Sequence, residues 1–515
     1  MAATKSNILL LVLDSARADH FSCYGYSRKT TPNFDQLAGS GTLFMRNYSS
    51  ANETLPSHVS IFTGVPPYFH KAAGNHGIYE GEYPFITEVL QKHGYSTIGV
   101  TNNTILCKYR GFERGFDVYH RLWETEDAAR SQRELLSRFV ELLDKEGPAL
   151  GRLHTLAEKL YTGPARDIVY RRMEKRYLSE DQGGKRIVKI LKDEIKNATE
   201  KKPTFLFANI LETHSPFLAP KSFRGKFYRG RIPRSVFDAT TFKAYEFMID
   251  RVPFTEGDRY ILNACYDECL AHADSLMGEL FNFMKTEGVL DDFLVIITSD
   301  HGELLADKPG LISHGDTTYD AMMRVPMLIR YPDRFPAGKK INVFTQHIDI
   351  FPTIVGTLGL DRKLYAYTHK GIDLGENLDA QKGRCIVLDQ PYITKPERLK
   401  KYKGLLERWN HVERTILCDE YKYTWTTSGK HRLYNILADP REENNLYNDA
   451  HKETLDKLHS TLMKWYEDQL KPGETFDPTK YDYREVFWEG ITKDLKREEE
   501  EAIKKRLREL GYLTT

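Results

Sequence analysis

Acidic and histidine side chains that could bind a metal ion stand just after three apolar runs of this chain. Asp14 comes after the run 8–13, His214 after the run 204–210, and Asp300 and His301 after the run 293–298. Carboxylate oxygens are the ligands that hard divalent cations prefer, and an imidazole ring also admits zinc or manganese. Residues at the ends of neighbouring strands meet at one edge of a sheet, where open α/β sheets bind their ligands. The pattern therefore predicts a metal-dependent site at that edge.

The elements that must position these residues alternate between strand and helix. Short apolar runs predict strands, and segments in which apolar residues return every three or four positions predict helices. Parallel strands are predicted at 8–13, 96–101, 204–210, 293–298 and 326–331, and helices at 87–93 and 266–285. We expect an α/β fold with a doubly wound, mostly parallel sheet flanked by helices.

The length of 515 residues suits one large and one small domain. We expect a catalytic domain over 1–380, a smaller C-terminal α+β subdomain over 381–490 and a charged C-terminal helix over 491–515. Segment 124–200 is rich in charged residues and leucine and predicts a helical insertion, whose role in covering the site or in dimerisation stays open. Further antiparallel strands are predicted at 385–389, 413–418 and 422–427, followed by a helix at 453–470.

Composition and charge argue against several classes of protein. The net charge of +1 does not favour nucleic acid or an anionic membrane as the main partner. The sequence contains no run of about 18 apolar residues, so we expect no membrane span. The apolar run 7–13 is too short for a secretory signal, and we therefore expect a cytoplasmic enzyme. Six cysteines in a chain of this length do not predict a disulfide framework. The sequence does not determine whether the chain forms a homo-oligomer.

Three motifs follow one another in a recognisable order. The first is the strand that ends at Asp14, the second is Thr54-Leu-Pro-Ser-His58, and the third is Ser299-Asp-His-Gly-Glu303. Together they resemble the alkaline phosphatase and sulfatase superfamily, and the resemblance continues through motifs at 209–216, 319–326, 346–353 and 433–446. It implies an alkaline phosphatase-like fold and a hydrolase that acts on phosphoric or sulfuric ester bonds.

The resemblance places Thr54 at the position of the catalytic nucleophile. Sulfatases carry Cys or Ser there and oxidise it to formylglycine, which the secondary alcohol of threonine does not form. We therefore expect a threonine nucleophile and no formylglycine. The resemblance also implies that Asp14, Thr54, Asp300 and His301 hold one divalent metal ion. Its identity stays open among zinc, manganese, calcium and magnesium.

The number of metal ions follows from two departures from related enzymes. Ile210 stands where two-metal relatives have an Asp, and Ser15 follows Asp14 where sulfatases have another carboxylate. Both departures favour a single metal ion. Glu212 and His314 are alternative ligands that leave a second metal open.

The residues that hold the ester oxygens in sulfatases are also replaced. His58 stands at the position of the Arg in the nucleophile motif, and Asn102 and Asn103 stand in the place of the first Lys. These three are therefore the candidate substrate-binding residues. His214 and His314 are candidate catalytic residues that would stabilise or protonate the leaving oxygen.

The hydroxyl of Thr54 also determines which ester we expect the enzyme to cleave. When formylglycine hydrate carries a sulfate, loss of the proton from its second hydroxyl expels the sulfate. A sulfated threonine has no second hydroxyl and cannot release sulfate in this way. A phosphorylated threonine can be displaced at phosphorus by water or by an acceptor alcohol. We expect a phosphodiesterase or phosphonate monoester hydrolase activity on a small-molecule or glycan ester. Alternatives are a sulfuric ester hydrolase, a phosphoryl or phosphoglycerol-type transferase, and a catalytically degenerate binding protein.

Overall fold

The computed structural model describes residues 6–124, 181–198, 202–239, 254–390 and 411–480, apart from short interruptions within these ranges. Its strands are β1 (Asn7–Leu13), β2 (Thr42–Phe44), β3 (Asn47–Tyr48), β4 (Ser96–Thr101), β5 (Val118–Arg121), β6 (Thr204–Ile210), β7 (Phe293–Ser299), β8 (Leu304–Lys308), β9 (Leu311–Ser313), β10 (Met327–Arg330), β11 (Lys339–Ile341), β12 (Thr345–Gln346), β13 (Ile386–Gln390), β14 (Glu413–Cys418), β15 (Tyr421–Thr426) and β16 (Arg432–Asn435). Its α-helices are α1 (Pro32–Ala38), α2 (Thr54–Thr63), α3 (Pro67–His70), α4 (Ile86–Lys92), α5 (Gly184–Asn197), α6 (Glu256–Thr286), α7 (Asp320–Met323), α8 (Ile350–Thr357) and α9 (Lys452–Glu467). Among the described residues, none of these helices has the length and apolar character needed to cross a lipid bilayer.

The largest sheet has eight strands in the order β11-β2-β10-β7-β1-β6-β4-β5. Strands β7, β1, β6, β4 and β5 are parallel to one another, which confirms the predicted doubly wound, mostly parallel sheet. The prediction of a parallel strand at 326–331 is wrong, because β10 pairs antiparallel with both β7 and β2. The chain leaves β7 at its carboxyl end, forms β8 and β9, and re-enters the sheet at that same edge. Without a crossover helix, the next strand must run back in the opposite direction.

Both faces of the central strands are buried, which explains why their sequences are continuously apolar rather than alternating. In β1, Leu9 and Leu11 face a layer that contains α1, α5 and α6. Their neighbours Leu10 and Val12 face the opposite layer, which contains α2, α4 and α8. Each fully buried leucine contributes about 1.5–3 kcal/mol. The strand ends are therefore held in fixed register by two packed layers.

The C-terminal sheet is antiparallel, with the strand order β13-β14-β15-β16, and helix α9 packs against it. This arrangement confirms the predicted small α+β unit. Cys385, which directly precedes β13, and Cys418, at the end of β14, form a disulfide. The spacing of the cysteines gave no reason to expect this bond, because the partners are separated by 33 positions and meet only through strand pairing.

Two predicted segments lie wholly or partly outside the described residues. Within the expected insertion 124–200, helix α5 lies between β5 and β6, and 125–180 lies outside the described residues, so the insertion stays a prediction. The charged helix expected at 491–515 lies outside as well. The domain boundaries at 380 and 490 stay predictions.

Candidate active site

The register of three parallel strands brings acidic residues to one edge of the sheet. Leu13 of β1 lies between Ile210 of β6 and Ser299 of β7. The next residues of β1 and β7, Asp14 and Asp300, therefore leave the sheet side by side, and both are fully buried. The site lies at the carboxyl edge of the sheet, where open α/β folds bind their ligands.

Hydrogen bonds fix both oxygens of the Asp14 carboxylate. Ser15 Oγ donates to Oδ1 at 3.2 Å, while Asn103 Nδ2 and Asn209 Nδ2 donate to Oδ2 at 2.9 and 3.4 Å. Ser15 has a φ of 61°, which is uncommon for a residue other than glycine. In this conformation its backbone N–H donates to Asp300 Oδ1 at 3.0 Å. The strained turn thereby ties the two carboxylates together.

Asp300 and His301 direct two further donor atoms toward the same point. Asp300 Oδ1 also accepts from the backbone N–H of His301 at 2.9 Å, whereas its Oδ2 is buried without a hydrogen-bond donor among the described residues. His301 Nδ1 donates to the carbonyl of Gly302 at 2.8 Å, which leaves the lone pair of Nε2 for another partner. That Nε2 lies 3.6 Å from Asp300 Oδ2.

The group formed by Asp14, Asp300 and His301 fits a divalent cation. One donor atom from each residue lies within 4.8 Å of the others, and all three residues are buried. In the described part of the chain, no Lys or Arg pairs with either carboxylate. Buried carboxylates without a counter-charge are costly, and a cation would satisfy both that charge and the orphaned Oδ2. Mixed oxygen and nitrogen donors suit zinc or manganese, and the carboxylates also suit magnesium or calcium.

Thr54 begins helix α2 and places its hydroxyl beside this group. Its Oγ1 lies 3.4 Å from His301 Nε2, and the residue is fully buried. The N-terminus of a helix carries a positive partial charge and presents unpaired N–H groups, which favour a bound anion. A hydroxyl, the expected metal ligands and the positive end of a helix therefore meet at one place. The role of Thr54 as ligand and nucleophile stays a prediction.

His58 lies one helical turn after Thr54 and is enclosed by aromatic rings. Its Nδ1 donates to the Thr54 carbonyl at 2.8 Å, and its ring packs edge-on against Phe112 and Phe207. Burial lowers the pKa of His58, although the nearby Asp300 carboxylate raises it. A neutral, packed ring does not supply the positive charge of the arginine that it replaces. Binding of substrate by His58 stays a prediction.

The two adjacent asparagines have different partners. Asn103 donates to Asp14, as described above, and its Oδ1 accepts from the backbone of Ile105 at 2.9 Å. Asn102 instead donates to the carbonyl of Gln182 at 2.7 Å. Within the described residues, Asn103 contacts an expected metal ligand, Asp14, whereas Asn102 contacts Gln182. Binding of substrate by either asparagine stays a prediction.

His214 and His314 lie together at the rim of the metal-ligand group. Their ring centroids are 5.1 Å apart, and the ring of His314 is 4.6 Å from that of His301. Burial lowers the pKa of His214, although Asp14 raises it. Burial also lowers the pKa of His314, but the carboxylate of Glu303 outweighs this effect and raises it to about 9. Two imidazoles whose pKa values are shifted in opposite directions thus lie side by side.

Several side chains that support or form the candidate sites were missed at the sequence level. Glu303 accepts a hydrogen bond from His314 Nδ1 at 3.1 Å, and Asn209 supports Asp14. Both residues lie within the sequence motifs that resemble the superfamily, at 299–303 and 209–216, so their positions could have indicated a role in the site. His272 forms a second group with Asp181 and Glu212, and no motif indicated it. Glu212, a suggested alternative ligand of the active-site metal, belongs to that second group.

Comparison with known proteins identifies the family to which the chain belongs. A model of the Sulfatase family matches residues 6–360. The chain is 24% identical to arylsulfatase D of Homo sapiens, over 69% of this chain and 66% of that protein. It is 23% identical to the multifunctional alkaline phosphatase superfamily protein PehA of Trinickia caryophylli, over 87% of this chain and 92% of that protein.

The fold also matches solved structures. The crystal structure of the phosphonate monoester hydrolase of Agrobacterium radiobacter superposes with a TM-score of 0.66, at 20% identity, and covers 90% of this chain and 96% of that chain. This likeness establishes an alkaline phosphatase-like fold. The chain therefore belongs to the sulfatase family, within the alkaline phosphatase-like superfamily of hydrolases.

Proposed function

We propose that this protein is a metal-dependent hydrolase of phosphate esters that uses Thr54 as its covalent nucleophile. A phosphodiester or a phosphonate monoester is the preferred substrate. The observation that carries the proposal is the buried hydroxyl of Thr54, at the start of helix α2 and 3.4 Å from His301 Nε2. Two buried carboxylates complete the group.

The identity of residue 54 supports phosphoryl over sulfuryl transfer. A sulfate ester formed on threonine has no second hydroxyl through which to expel sulfate. A phosphate ester on threonine can instead be displaced by water at phosphorus. In the first step Thr54 Oγ1 loses its proton to a base and forms a bond to phosphorus while the bond to the leaving oxygen breaks. In the second step water loses a proton and attacks phosphorus, the bond between phosphorus and Thr54 Oγ1 breaks, and Thr54 takes up a proton again.

The charges around the site support a substrate that carries little negative charge. His58 is neutral where sulfatases have arginine, so the fixed positive charge on the ester oxygens is reduced. A phosphodiester or phosphonate monoester carries one negative charge, whereas a phosphomonoester carries nearly two. When bound by Asp14, Thr54, Asp300 and His301, a divalent cation would supply charge neutralisation for the ester and for the Thr54 oxygen.

The pair of histidines supports proton transfer to the leaving group. His314 is held protonated by Glu303 and can donate a proton to the leaving oxygen as its bond to phosphorus breaks. Neutral His214 lies beside it and can accept a proton. The proposal also agrees with the names of two similar proteins, the phosphonate monoester hydrolase and the multifunctional PehA.

Intact mass spectrometry tests the proposal. The enzyme is mixed with an aryl phosphodiester and quenched after a short time. We expect a mass gain equal to one arylphosphoryl group, located by fragmentation on the peptide that contains Thr54. Thr54→Ser keeps a hydroxyl and should still form the adduct. Thr54→Val keeps the shape without the hydroxyl and should form none, with a loss in kcat of at least about 10³-fold.

The same peptide tests the absence of formylglycine, since residue 54 should have the mass of unmodified threonine. An adduct on another residue, or a Thr54→Val enzyme with the wild-type rate, would exclude the covalent mechanism.

A second candidate function is sulfuric ester hydrolysis, and the family match favours it. Turnover of matched aryl sulfate and aryl phosphodiester substrates separates the two candidates. Faster cleavage of the sulfate by the wild type, retained in Thr54→Val, would favour a sulfatase that does not use a threonine adduct.

A further inference from the structure

A second group of possible metal ligands lies apart from the active-site group. Asp181 stands just before helix α5, Glu212 follows strand β6, and His272 lies in the middle of helix α6. One donor atom from each lies within 4.8 Å of the others. His272 Nε2 is 3.6 Å from Glu212 Oε2 and 3.8 Å from Asp181 Oδ2. Three separate elements thus converge on one point.

The side chain of His272 is buried and lacks hydrogen bonds. The residue is 1% exposed, and neither ring nitrogen has a hydrogen-bond partner within the described ranges. An unsatisfied buried polar group costs about 1–3 kcal/mol. Its Nε2 faces two carboxylate oxygens at distances too long for hydrogen bonds. A ligand between these atoms would satisfy the imidazole.

The two carboxylates are fixed by backbone N–H groups and face His272. Asp181 accepts from Gly183 and Lys185 at 3.1 Å each, and Glu212 accepts from Gly184 at 2.9 Å. A Cβ atom at Gly184 would lie 2.7 Å from Glu212 Oε1, so this close approach requires glycine. Neither carboxylate has a Lys or Arg partner in the part of the chain that the structure describes. The only ionisable partner that they share there is His272.

We propose that Asp181, Glu212 and His272 bind a second divalent cation, separate from the cation expected at Asp14, Asp300 and His301. Ligand atoms around a cation at about 2.1 Å are separated by about 3.0–3.4 Å. Movements of a few tenths of an ångström would bring His272 Nε2 to that spacing from the oxygens of Asp181 and Glu212. One nitrogen and two carboxylate donors select zinc or a similar first-row ion over calcium or magnesium. The ion would fasten the start of α5 and the segment that carries His214 to helix α6.

Metal counting after zinc loading and desalting tests this site. We expect two equivalents of zinc in the wild type and one in His272→Gln or Glu212→Gln. The control His120→Gln removes a partly exposed histidine that pairs with Glu194 at 3.4 Å, and it should keep two equivalents. Equal zinc counts in the wild type and in His272→Gln would overturn the proposal, because His272 would then be a simple ion-pair partner.

A second experiment tests the site without the active-site metal and without changing its own three ligands. Asp300→Asn should remove one equivalent and leave the second site intact. Cobalt added to that variant should produce visible absorption bands from nitrogen and oxygen ligands, and zinc should raise its melting temperature. The absence of both effects would also overturn the proposal. If instead no metal ion binds at the active site, Asp300→Asn should bind as much zinc as the wild type, while His272→Gln still loses one equivalent.

Discussion

Asn103 fixes the orientation of a carboxylate that we expect to bind metal. Its Nδ2 donates to Asp14 Oδ2 at 2.9 Å, and its Oδ1 is held by the backbone of Ile105. Both ends of the amide are thus in use, and the side chain has a single orientation. Groups that orient metal ligands in this way tune metal affinity without touching the metal. We therefore expect Asn103 to act as a positioning residue for Asp14.

Replacing Asn103 by alanine should weaken metal binding and leave the fold unchanged. We expect a loss in metal affinity of about 10–100-fold, because Asp14 Oδ2 would lose its shorter hydrogen bond. Calorimetric titration of the metal-free protein measures the change, and far-UV circular dichroism checks the fold. Asn102→Ala removes the neighbouring amide, which contacts Gln182, and should cost much less affinity. Equal losses in the two variants would contradict this role of Asn103.

The sequence predicted which side chains meet at the site better than it predicted what each one contacts. Strand ends and motifs located Asp14, Thr54, Asp300 and His301, and these residues do converge. Asn102 and Asn103 were indistinguishable, because adjacent residues after a strand point in different directions that only the turn geometry determines. The partner of His314 also depends on how the chain folds back after β7.

Strand β14 connects the C-terminal sheet to the loop before helix α7 through one buried carboxylate. Glu413 accepts hydrogen bonds from the backbone N–H and the hydroxyl of Thr318, each at 2.8 Å. It also pairs with Arg432 at 2.7 Å and accepts from His411 at 3.0 Å. Burial raises the pKa of Glu413, but Arg432 and the hydrogen bond from His411 outweigh it and hold the pKa far below its usual value.

Glu413→Gln should therefore destabilise the protein at neutral pH. We expect the free energy of unfolding to fall by about 3 kcal/mol at pH 7, because Arg432 would lose its buried partner. A lowered carboxylate pKa stabilises the fold above the unfolded value of about 4.3, and this contribution is lost as the pH falls below that value. The difference between wild type and variant should thus shrink on acidification.

Urea unfolding at pH 7 and at pH 4 measures this difference. Glu453→Gln, at an exposed position in the first turn of α9, is the matched control and should change stability by no more than about 0.5 kcal/mol. A difference that grows on acidification would show that Glu413 does not act as a charged partner.

At the scale of the whole molecule, the C-terminal sheet shares its core with the catalytic part. One cluster joins Tyr48 and Met322 to Leu388 and Leu417, and another packs Phe69 among residues of the C-terminal sheet and α9. The backbone N–H of Asp389 also donates to the carbonyl of Ser50, only four residues before Thr54. We therefore expect the two parts to unfold together.

This shared core could not be derived from the sequence pattern. Alternation and apolar runs show that a strand buries one or both faces, and they correctly predicted the antiparallel C-terminal strands. They do not show which surface covers those faces. The same limit applies to the edge strand β10, whose direction depends on the path of the chain between strands.

Lys422 offers a direct test of this coupling. It is buried on β15, and its Nζ lies 2.8 Å from Asp320 in the catalytic part and 2.8 Å from Glu442. Lys422→Met would leave the buried Glu442 and the partly buried Asp320 without their shared cation, which costs about 3–5 kcal/mol. Lys464→Met, in a largely exposed pair with Asp468, is the matched control and should leave the free energy of unfolding nearly unchanged, because exposed ion pairs contribute little to stability.

If the two parts unfold as one unit, the midpoints of urea curves recorded by circular dichroism and by residual hydrolytic activity should fall together in Lys422→Met. The physical reason is that unfolding of the C-terminal sheet exposes the apolar surface next to the Thr54 helix. The active site should therefore not stay folded once that sheet has unfolded. An activity curve unchanged in Lys422→Met while the circular dichroism curve shifts would mean that the C-terminal sheet unfolds separately.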